Sequence, residues 1–183
     1  MSRPFALRLA AIALLAATVN APVSGQIIEI IYLDDANFGF NDNSAASPAP
    51  GNPGQTLGEQ RRAALERAVD IWTSRLDSSA VVRMDVSFDD LGCGERTTLG
   101  QAGSNGIAWD FPGAPETGVN FPTSLAAALR GFPFLGLSAE MRADFNFRVD
   151  EGDCAEGTEA FWYGLDPETP PALGTASFLV LAV

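Results

Sequence analysis

A capping box followed by a long amphipathic pattern most constrains how this chain can fold. Residues Thr56–Glu59 read TLGE, so the threonine hydroxyl can accept a free backbone N–H and the Glu59 carboxylate can reach back to the N-cap. Six apolar residues then fall on one helical face: Leu57, Ala64, Leu65, Ala68, Trp72 and Leu76. We therefore predict a helix over Thr56–Leu76 that packs on a sheet through Leu65, Trp72 and Leu76.

Three extended patterns accompany this helix. Gln26–Leu33 is rich in β-branched residues and mostly apolar on both faces, which predicts a strand buried inside a sheet. A second strand alternates strictly, with Val82, Met84, Val86 and Phe88 on one face and Arg83, Asp85 and Ser87 on the other. The third covers Glu140–Phe147, with Met141, Ala143, Phe145 and Phe147 predicted to face the core and Glu140, Arg142, Asp144 and Asn146 predicted to face outward.

The remaining elements are shorter. Leu99–Pro122 is punctuated by glycine and proline and is predicted to be a loop, in which Ile107–Trp109 forms a short strand. Thr123–Arg130 is predicted to be a short helix closed by Gly131. The order of these elements predicts an α/β (α+β) fold with one mixed, twisted sheet, one long helix backing it and an incomplete second helix.

The incomplete helix is the segment Gly174–Val183, whose apolar residues are typical of the opening turns of a buried helix. The segment has no polar face, no glycine cap and no basic last turn. We therefore expect the sequence to be cut short at this point.

The N-terminus is typical of a secretory signal peptide over residues 1–25. Arg3 and Arg8 precede an apolar stretch from Leu9 to Val19, and Val23–Gly25 supplies small residues for cleavage. An uncleaved anchor is the alternative, but a membrane span needs about 20 apolar residues. We expect one mature domain over residues 26–183, secreted or periplasmic, with no membrane association after cleavage.

The charge balance is strongly acidic and excludes some partners. The chain has 11 arginines, no lysine and 23 acidic residues, for a net charge of −12. Loss of Arg3 and Arg8 would leave nine arginines against 23 carboxylates, a net charge of −14. Nucleic acids and anionic membranes need basic patches, so we expect neither as a partner.

The two cysteines predict a disulfide. Cys93 and Cys154 would enter an oxidising compartment together, where pairing is favoured. The chain contains no histidine, so a structural zinc site, a Ser-His-Asp triad and a Cys-His nucleophile are all excluded by composition.

Two acidic loops are candidates for calcium. One contains Asp150, Glu151 and Asp153, and the other contains Asp34, Asp35 and Asp42. Calcium needs several oxygen ligands, and solvated acidic loops are the more common explanation. Five aromatic residues could line a carbohydrate or peptide groove, although core packing accounts for most of them: Trp109, Phe111, Phe161, Trp162 and Tyr163.

Several blocks of sequence together resemble one family. The first set is GFND at Gly39–Asp42, NPGQTLGEQR at Asn52–Arg61 and the pattern AxxIWxxxLxSS at Ala68–Ser79. The second set is VVRMDVSFDDLGC at Val81–Cys93, DFPGAP at Asp110–Pro115 and FPTSLAAAL at Phe121–Leu129. The third is RADFN at Arg142–Asn146 and WYGLD at Trp162–Asp166. These blocks, which span nearly all of Ile27–Val183, resemble the N-terminal part of secreted bacterial zinc metallopeptidase-like proteins of the zincin group.

The resemblance implies a peptidase scaffold that acts on protein or peptide substrates. In the family, a segment like Gly174–Val183 leads into a helix with a His-Glu-x-x-His motif that binds zinc and supplies the general base. That motif would follow Val183, so the resemblance implies that this chain alone binds no zinc and has no peptidase activity. One alternating strand, for which Arg142, Asp144 and Asn146 are the candidates, would then bind an extended substrate by strand addition.

Without a central helix and lower subdomain, we expect Phe145, Phe147 and Phe178–Val183 to be exposed or poorly packed. Two other hypotheses stay open. One is a non-catalytic secreted module that binds peptide, glycan or calcium. The other is a separate subunit whose terminal helix docks on a partner chain. The uncapped apolar segment Gly174–Val183 favours the hypothesis that this chain is part of a metallopeptidase, because a self-sufficient module would be expected to end in a polar or capped segment.

Overall fold

The computed structural model describes residues 27–76, 78, 80–94, 97–154, 160–171 and 173–183. The predicted signal peptide, residues 1–25, lies outside the described residues. The strands are β1 (Ile27–Tyr32), β2 (Val81–Asp89), β3 (Gly100–Ser104), β4 (Ile107–Ala108), β5 (Phe121–Pro122), β6 (Met141–Asn146), β7 (Ala160–Trp162) and β8 (Thr175–Ser177). The helices are α1 (Leu57–Thr73), α2 (Thr123–Arg130), α3 (Phe147–Asp150) and α4 (Phe178–Ala182), with a 3-10 turn at Gly39–Asn41.

The main sheet has four strands in the order β1-β2-β6-β3. β1, β2 and β6 are parallel, and β3 is antiparallel to β6. Two small sheets, β4-β5 and β7-β8, lie outside it. This mixed sheet with four helices confirms the α+β class.

Local signals account for the two longest helices. The Thr56 hydroxyl accepts from the Glu59 amide at 3.2 Å and Glu59 accepts from the Thr56 amide at 3.1 Å, so the predicted capping box is present. The α1 helix ends at Thr73 rather than Leu76, where the hydroxyls of Thr73 and Ser74 donate to backbone carbonyls. The α2 helix has the predicted bounds, and Gly131 ends it with a left-handed φ of 84°.

The core lies between α1 and the apolar face of the sheet. Ala64 and Leu65 of α1 belong to the same buried cluster as Met84 and Val86 of β2. The predicted alternation of β2 thus places its apolar residues against the backing helix. Trp72 and Leu76 are 43% and 37% exposed, so the helix stripe is buried only in its first half.

The structure corrects the predicted burial of β1. It lies at an edge of the sheet rather than inside it, because β2 is its one sheet neighbour among the described residues. Ile27 is 57% exposed. The isoleucines on the outer face of β1, Ile27 and Ile31, reflect β-sheet propensity rather than burial on two sides, and the exposed Glu29 lies between them.

The predicted outward face of β6 is also wrong in part. Glu140, Asp144 and Asn146 are buried, and only Arg142 is exposed. Glu140 accepts from the amides of Arg83 (2.9 Å) and Phe134 (3.0 Å). Burial alone would raise the pKa of Glu140, but these hydrogen bonds and the Arg83 guanidinium hold the pKa below its usual range. A paired carboxylate can therefore occupy a position that its sequence pattern assigns to solvent.

The C-terminal segment differs from the predicted continuous helix. Thr175–Ser177 is a strand, and the α4 helix begins at Phe178, capped by the Ser177 hydroxyl. Phe178 and Phe145 are buried, contrary to the expectation of poor packing, whereas Val180 is 75% exposed. Phe147 begins α3 instead of ending β6 and is half-buried against the core.

The predicted disulfide joins Cys93 to Cys154 across a separation of 61 residues. It ties the loop after β2 to the segment after α3. No helix in the described part of the chain is long and apolar enough to cross a membrane.

Candidate functional site

The sheet presents one uncharged edge, which is β3. Leu99 accepts from the Asn146 amide and Asn105 donates to the Glu140 carbonyl, both at 2.9 Å, so odd-numbered residues of this stretch bond to β6. In an antiparallel pair, the alternate residues direct their N–H and C=O groups the other way. The backbone groups of Gly100, Ala102 and Ser104 therefore point away from β6, toward an edge that no strand in the described part of the chain covers, which we call the free edge.

Edge strands are usually protected against pairing with another chain by charged residues or proline, and β3 has neither. Its sequence, GQAGS, has no charged residue and no proline. The opposite edge strand, β1, carries the exposed charge of Glu29. Of the two edges, β3 therefore offers the lower barrier to strand addition.

Neighbouring polar contacts hold β3 in place at its C-terminal end. The hydroxyls of Ser104 and Thr123 lie 2.8 Å apart, and Thr123 donates to the Glu140 carbonyl at 2.9 Å. The Asn105 amide group donates to the Ala139 carbonyl at 3.0 Å. These contacts hold the C-terminal end of β3 in position, so the outward backbone groups of β3 are already arranged to hydrogen-bond a partner strand.

Sequence patterns do not reveal this edge, and they predict a loop over Leu99–Pro122. The strand itself contains no β-branched or aromatic residue, so strand propensity gives no signal. Pairing with β6 makes it a strand, and that contact is not visible in local sequence.

One face of β3 and β6 is polar. Arg142 forms ion pairs with Asp144 and with Asp89, the latter at 2.9 Å. The Ser87 hydroxyl lies 3.0 Å from carboxylate oxygens of both acids, and Gln101 donates to Asp144 at 3.1 Å. Burial alone would raise the pKa of Asp144, but hydrogen bonds from Arg142, Gln101 and Ser87 hold the pKa below its usual range. Asp144 is therefore ionised at neutral pH.

The other face of the sheet borders an open apolar groove of about 500 Å³. We call this the α1–α4 groove. The residues that line it include Val69 and Trp72 of α1, Val82 and Met84 of β2, Ala102 of β3, Leu125 of α2 and Leu181 of α4. The Trp72 indole donates to the Val183 carbonyl at 2.8 Å and so closes one end. The groove continues directly from the free edge of β3.

The predicted substrate strand is corrected by the sheet order. Arg142, Asp144 and Asn146 belong to β6, which has β2 on one side and β3 on the other, so no extended peptide can add to it. Asn146 is fully buried and donates to the carbonyls of Gly92 and Thr98 at 2.8 Å. Its role is to join two loops to the core. Only Arg142 and Asp144 lie close to the free edge.

The proposed calcium loops are engaged in other contacts. Asp150 pairs with the buried Arg61, while Glu151 and Asp153 are exposed on the following turn. Asp34 accepts from the amides of Phe40 (2.6 Å) and Phe88 (2.8 Å). Within the described ranges, no group of three or more acidic, histidine or cysteine side chains is arranged to hold a metal ion.

The residues present do not suit zinc. The chain has no histidine, and both cysteines form the disulfide. The alternative of an aromatic groove gains no support, because three of the five candidate aromatic residues lie in buried clusters, as the preferred interpretation of core packing predicts. Phe161 and Tyr163 belong to the main core, whereas Phe111 belongs to a separate small cluster and Trp109 is exposed.

No protein-family model, curated protein or solved structure matches this chain. The class of protein is thus defined by its own architecture, an α+β domain with a mixed sheet and an uncharged free edge. The resemblance to zincins rests on the sequence blocks alone.

Proposed function

We propose that this chain is the peptide-binding N-terminal part of a secreted zinc-dependent metallopeptidase of the zincin group. An extended peptide adds to the sheet along β3. The observation that carries the proposal is the uncharged free edge at Gly100–Ser104 with its outward backbone groups. The Cys93–Cys154 disulfide supports export to a secreted or periplasmic location.

Strand addition uses the backbone of the partner and leaves its side chains for recognition. The outward N–H and C=O groups of Gly100, Ala102 and Ser104 would supply the hydrogen bonds. Side chains of the added strand would alternate between the two faces of the sheet. Those on one face would lie beside the α1–α4 groove, and those on the other would lie beside Arg142 and Asp144.

Zinc chemistry would come from a His-Glu-x-x-His helix, which the resemblance expects after Val183. Residues Met1–Val183 lack suitable zinc ligands, so we expect this chain to bind peptide without hydrolysing it. Zinc-dependent proteolysis by the purified chain would contradict this expectation.

Ala102→Pro is expected to weaken peptide binding tenfold or more. Proline removes the outward N–H of Ala102, and its ring obstructs the approach of a partner strand. Proline is tolerated on an edge strand when its N–H would face solvent, so the fold is expected to persist. Binding would be measured by fluorescence anisotropy with a labelled eight-residue peptide of alternating valine and threonine.

Ala102→Ser is the matched control, because it keeps the N–H and changes only a small side chain. Its affinity is expected to stay within twofold of the original. Peptide-induced shifts in the backbone amide resonances of Gly100 and Ser104 would locate the contact. Equal affinities for the proline and serine variants, or shifts confined to other strands, would contradict binding at β3.

The coding DNA that follows the Val183 codon tests the metallopeptidase assignment separately. We expect a His-Glu-x-x-His sequence within a few codons, in frame or shifted by one base. If peptide binding at β3 is found and this motif is absent, the chain is instead a non-catalytic binding module for peptide, glycan or calcium.

A further inference from the structure

We propose that the peptide added to β3 carries a basic side chain, arginine or lysine, opposite Gly103, where it pairs with Asp144. This inference rests on the proposed function, because it concerns the same edge. It assigns a side-chain preference to an interaction that backbone hydrogen bonds alone would leave unselective.

A gap over Gly103 provides the space for that side chain. A β-carbon at Gly103 would meet no atom within 4 Å. A cavity of about 270 Å³ opens here, bounded by Gln101, Asn105, Arg142 and Asp144. A peptide residue directly opposite Gly103 projects its side chain onto the same face of the sheet, so it enters this gap. Gly103 is in register with Arg142, and Asp144 is the diagonal neighbour, in register with Gln101.

The charges around the gap favour a cation. One carboxylate oxygen of Asp144 accepts from Arg142 and Ser87, while the other accepts from Gln101 of β3 and lies on the β3 side of the carboxylate. Asp89 and Asp144 together outweigh the single charge of Arg142. Asp85, the register partner of Arg142 on β2, adds another carboxylate to this face.

Asp85 adds to the negative charge of this face because it forms no ion pair within the described residues. It is 7% exposed, its Oδ2 atom accepts from the Ser138 hydroxyl at 3.2 Å, and its Oδ1 atom accepts no hydrogen bond from the described residues. With Arg83 and its partner Glu140 included, the face has four carboxylates near two guanidiniums, and the whole chain has a net charge of −12. An acidic peptide side chain would be repelled here, whereas a basic one would be attracted.

Side-chain length also matters. Neighbouring strands lie about 4.8 Å apart, so a peptide strand beyond β3 lies roughly 10 Å from β6. The long stems of arginine and lysine can lie across the unoccupied surface of Gly103 and bring their charge to Asp144. A larger side chain at position 103 would close this path.

The test uses three labelled peptides that differ at one central position: arginine, citrulline or glutamate in the valine–threonine background. Citrulline is a neutral analogue of arginine of the same length. We expect the arginine peptide to bind about fivefold more tightly than the citrulline peptide at low salt, as for a partly exposed ion pair. The glutamate peptide is expected to bind most weakly, and the differences should shrink at high salt.

Two variants locate the preference. Asp144→Asn removes the charge with little change of shape, and Gly103→Val fills the gap. Each variant is expected to bind the arginine and citrulline peptides with nearly equal affinity, so that the ratio of the two affinities falls to near one. Asp35→Asn is the matched control, because this exposed carboxylate follows β1 at the far edge of the sheet, and its ratio is expected to stay near fivefold.

The outcomes separate this inference from the proposed function. Equal binding of all three peptides, with amide shifts at Gly100, Ala102 and Ser104, would overturn the basic preference and leave edge binding intact. Tighter binding of the glutamate peptide would overturn the basic preference, and it would indicate that the peptide side chain pairs with Arg142 instead of Asp144. Absence of shifts at β3 with every peptide would overturn both proposals.

Discussion

Replacing Arg61 with methionine is expected to lower the free energy of unfolding by about 3–5 kcal/mol. Arg61 is 6% exposed, yet its guanidinium bonds to Asp150, lies 3.4 Å from an Asp42 oxygen and donates to the Gly39 carbonyl. Methionine preserves most of the side-chain volume, so the main loss is charge and hydrogen bonding. Asp150 would be left buried without its cation.

Urea denaturation monitored by circular dichroism would measure the loss. Arg148→Met is the matched control, because Arg148 pairs with Asp90 and both side chains are half exposed at 41% and 46%. That exposed pair is expected to contribute at most about 1 kcal/mol. If both variants lowered the free energy of unfolding equally, burial would not determine how much the Arg61–Asp150 pair stabilises the fold.

A double-mutant cycle separates the ion pair from the packing of Arg61. The guanidinium also stacks over the Phe88 ring at 4.7 Å, a contact that methionine only partly replaces. Adding Asp150→Asn to Arg61→Met removes the unpaired charge and is expected to recover part of the lost stability. Additive losses for the two substitutions would contradict a direct coupling between Arg61 and Asp150.

The elements that were predicted correctly are those with strong local signals. The capping box at Thr56 and Glu59 defines the start of α1, because both reciprocal hydrogen bonds lie within one turn. The left-handed position after α2 requires a residue such as Gly131. The apolar alternation of β2 reports the face that packs against a helix. None of these features needs information from distant parts of the chain.

The errors arise where a distant partner decides the structure. Glu140 is buried because Arg83 neutralises it, and that pairing joins residues 57 positions apart. β3 is a strand because it pairs with β6, although its residues have little strand propensity. The strand order, which makes β1 an edge and β6 internal, depends on topology as well. The sequence therefore placed the candidate substrate edge on the strand of Arg142, Asp144 and Asn146, whereas the sheet order makes that strand internal and β3 the edge beside it.

Phe178→Ala is expected to lower the free energy of unfolding by about 3–5 kcal/mol, the range for removing a fully buried aromatic ring. Phe178 has no exposed surface. Its ring centroid lies 4.5 Å from that of Phe145, 5.2 Å from Tyr163 and 5.4 Å from Phe161. The substitution would leave a cavity among rings contributed by three separate strands and loops.

Val180→Ala is the control in the same helix, and with 75% exposure it is expected to change stability by less than about 0.5 kcal/mol. The indole N–H resonance of Trp72 supplies a local readout, because that group donates to the Val183 carbonyl. We expect this resonance to shift in Phe178→Ala and to stay in place in Val180→Ala. A loss below about 1 kcal/mol for Phe178→Ala would mean that the apolar end is loosely attached, as the sequence alone predicted. A large loss would mean that α4 is anchored at Phe178 and that its remaining turn forms a stable wall of the α1–α4 groove.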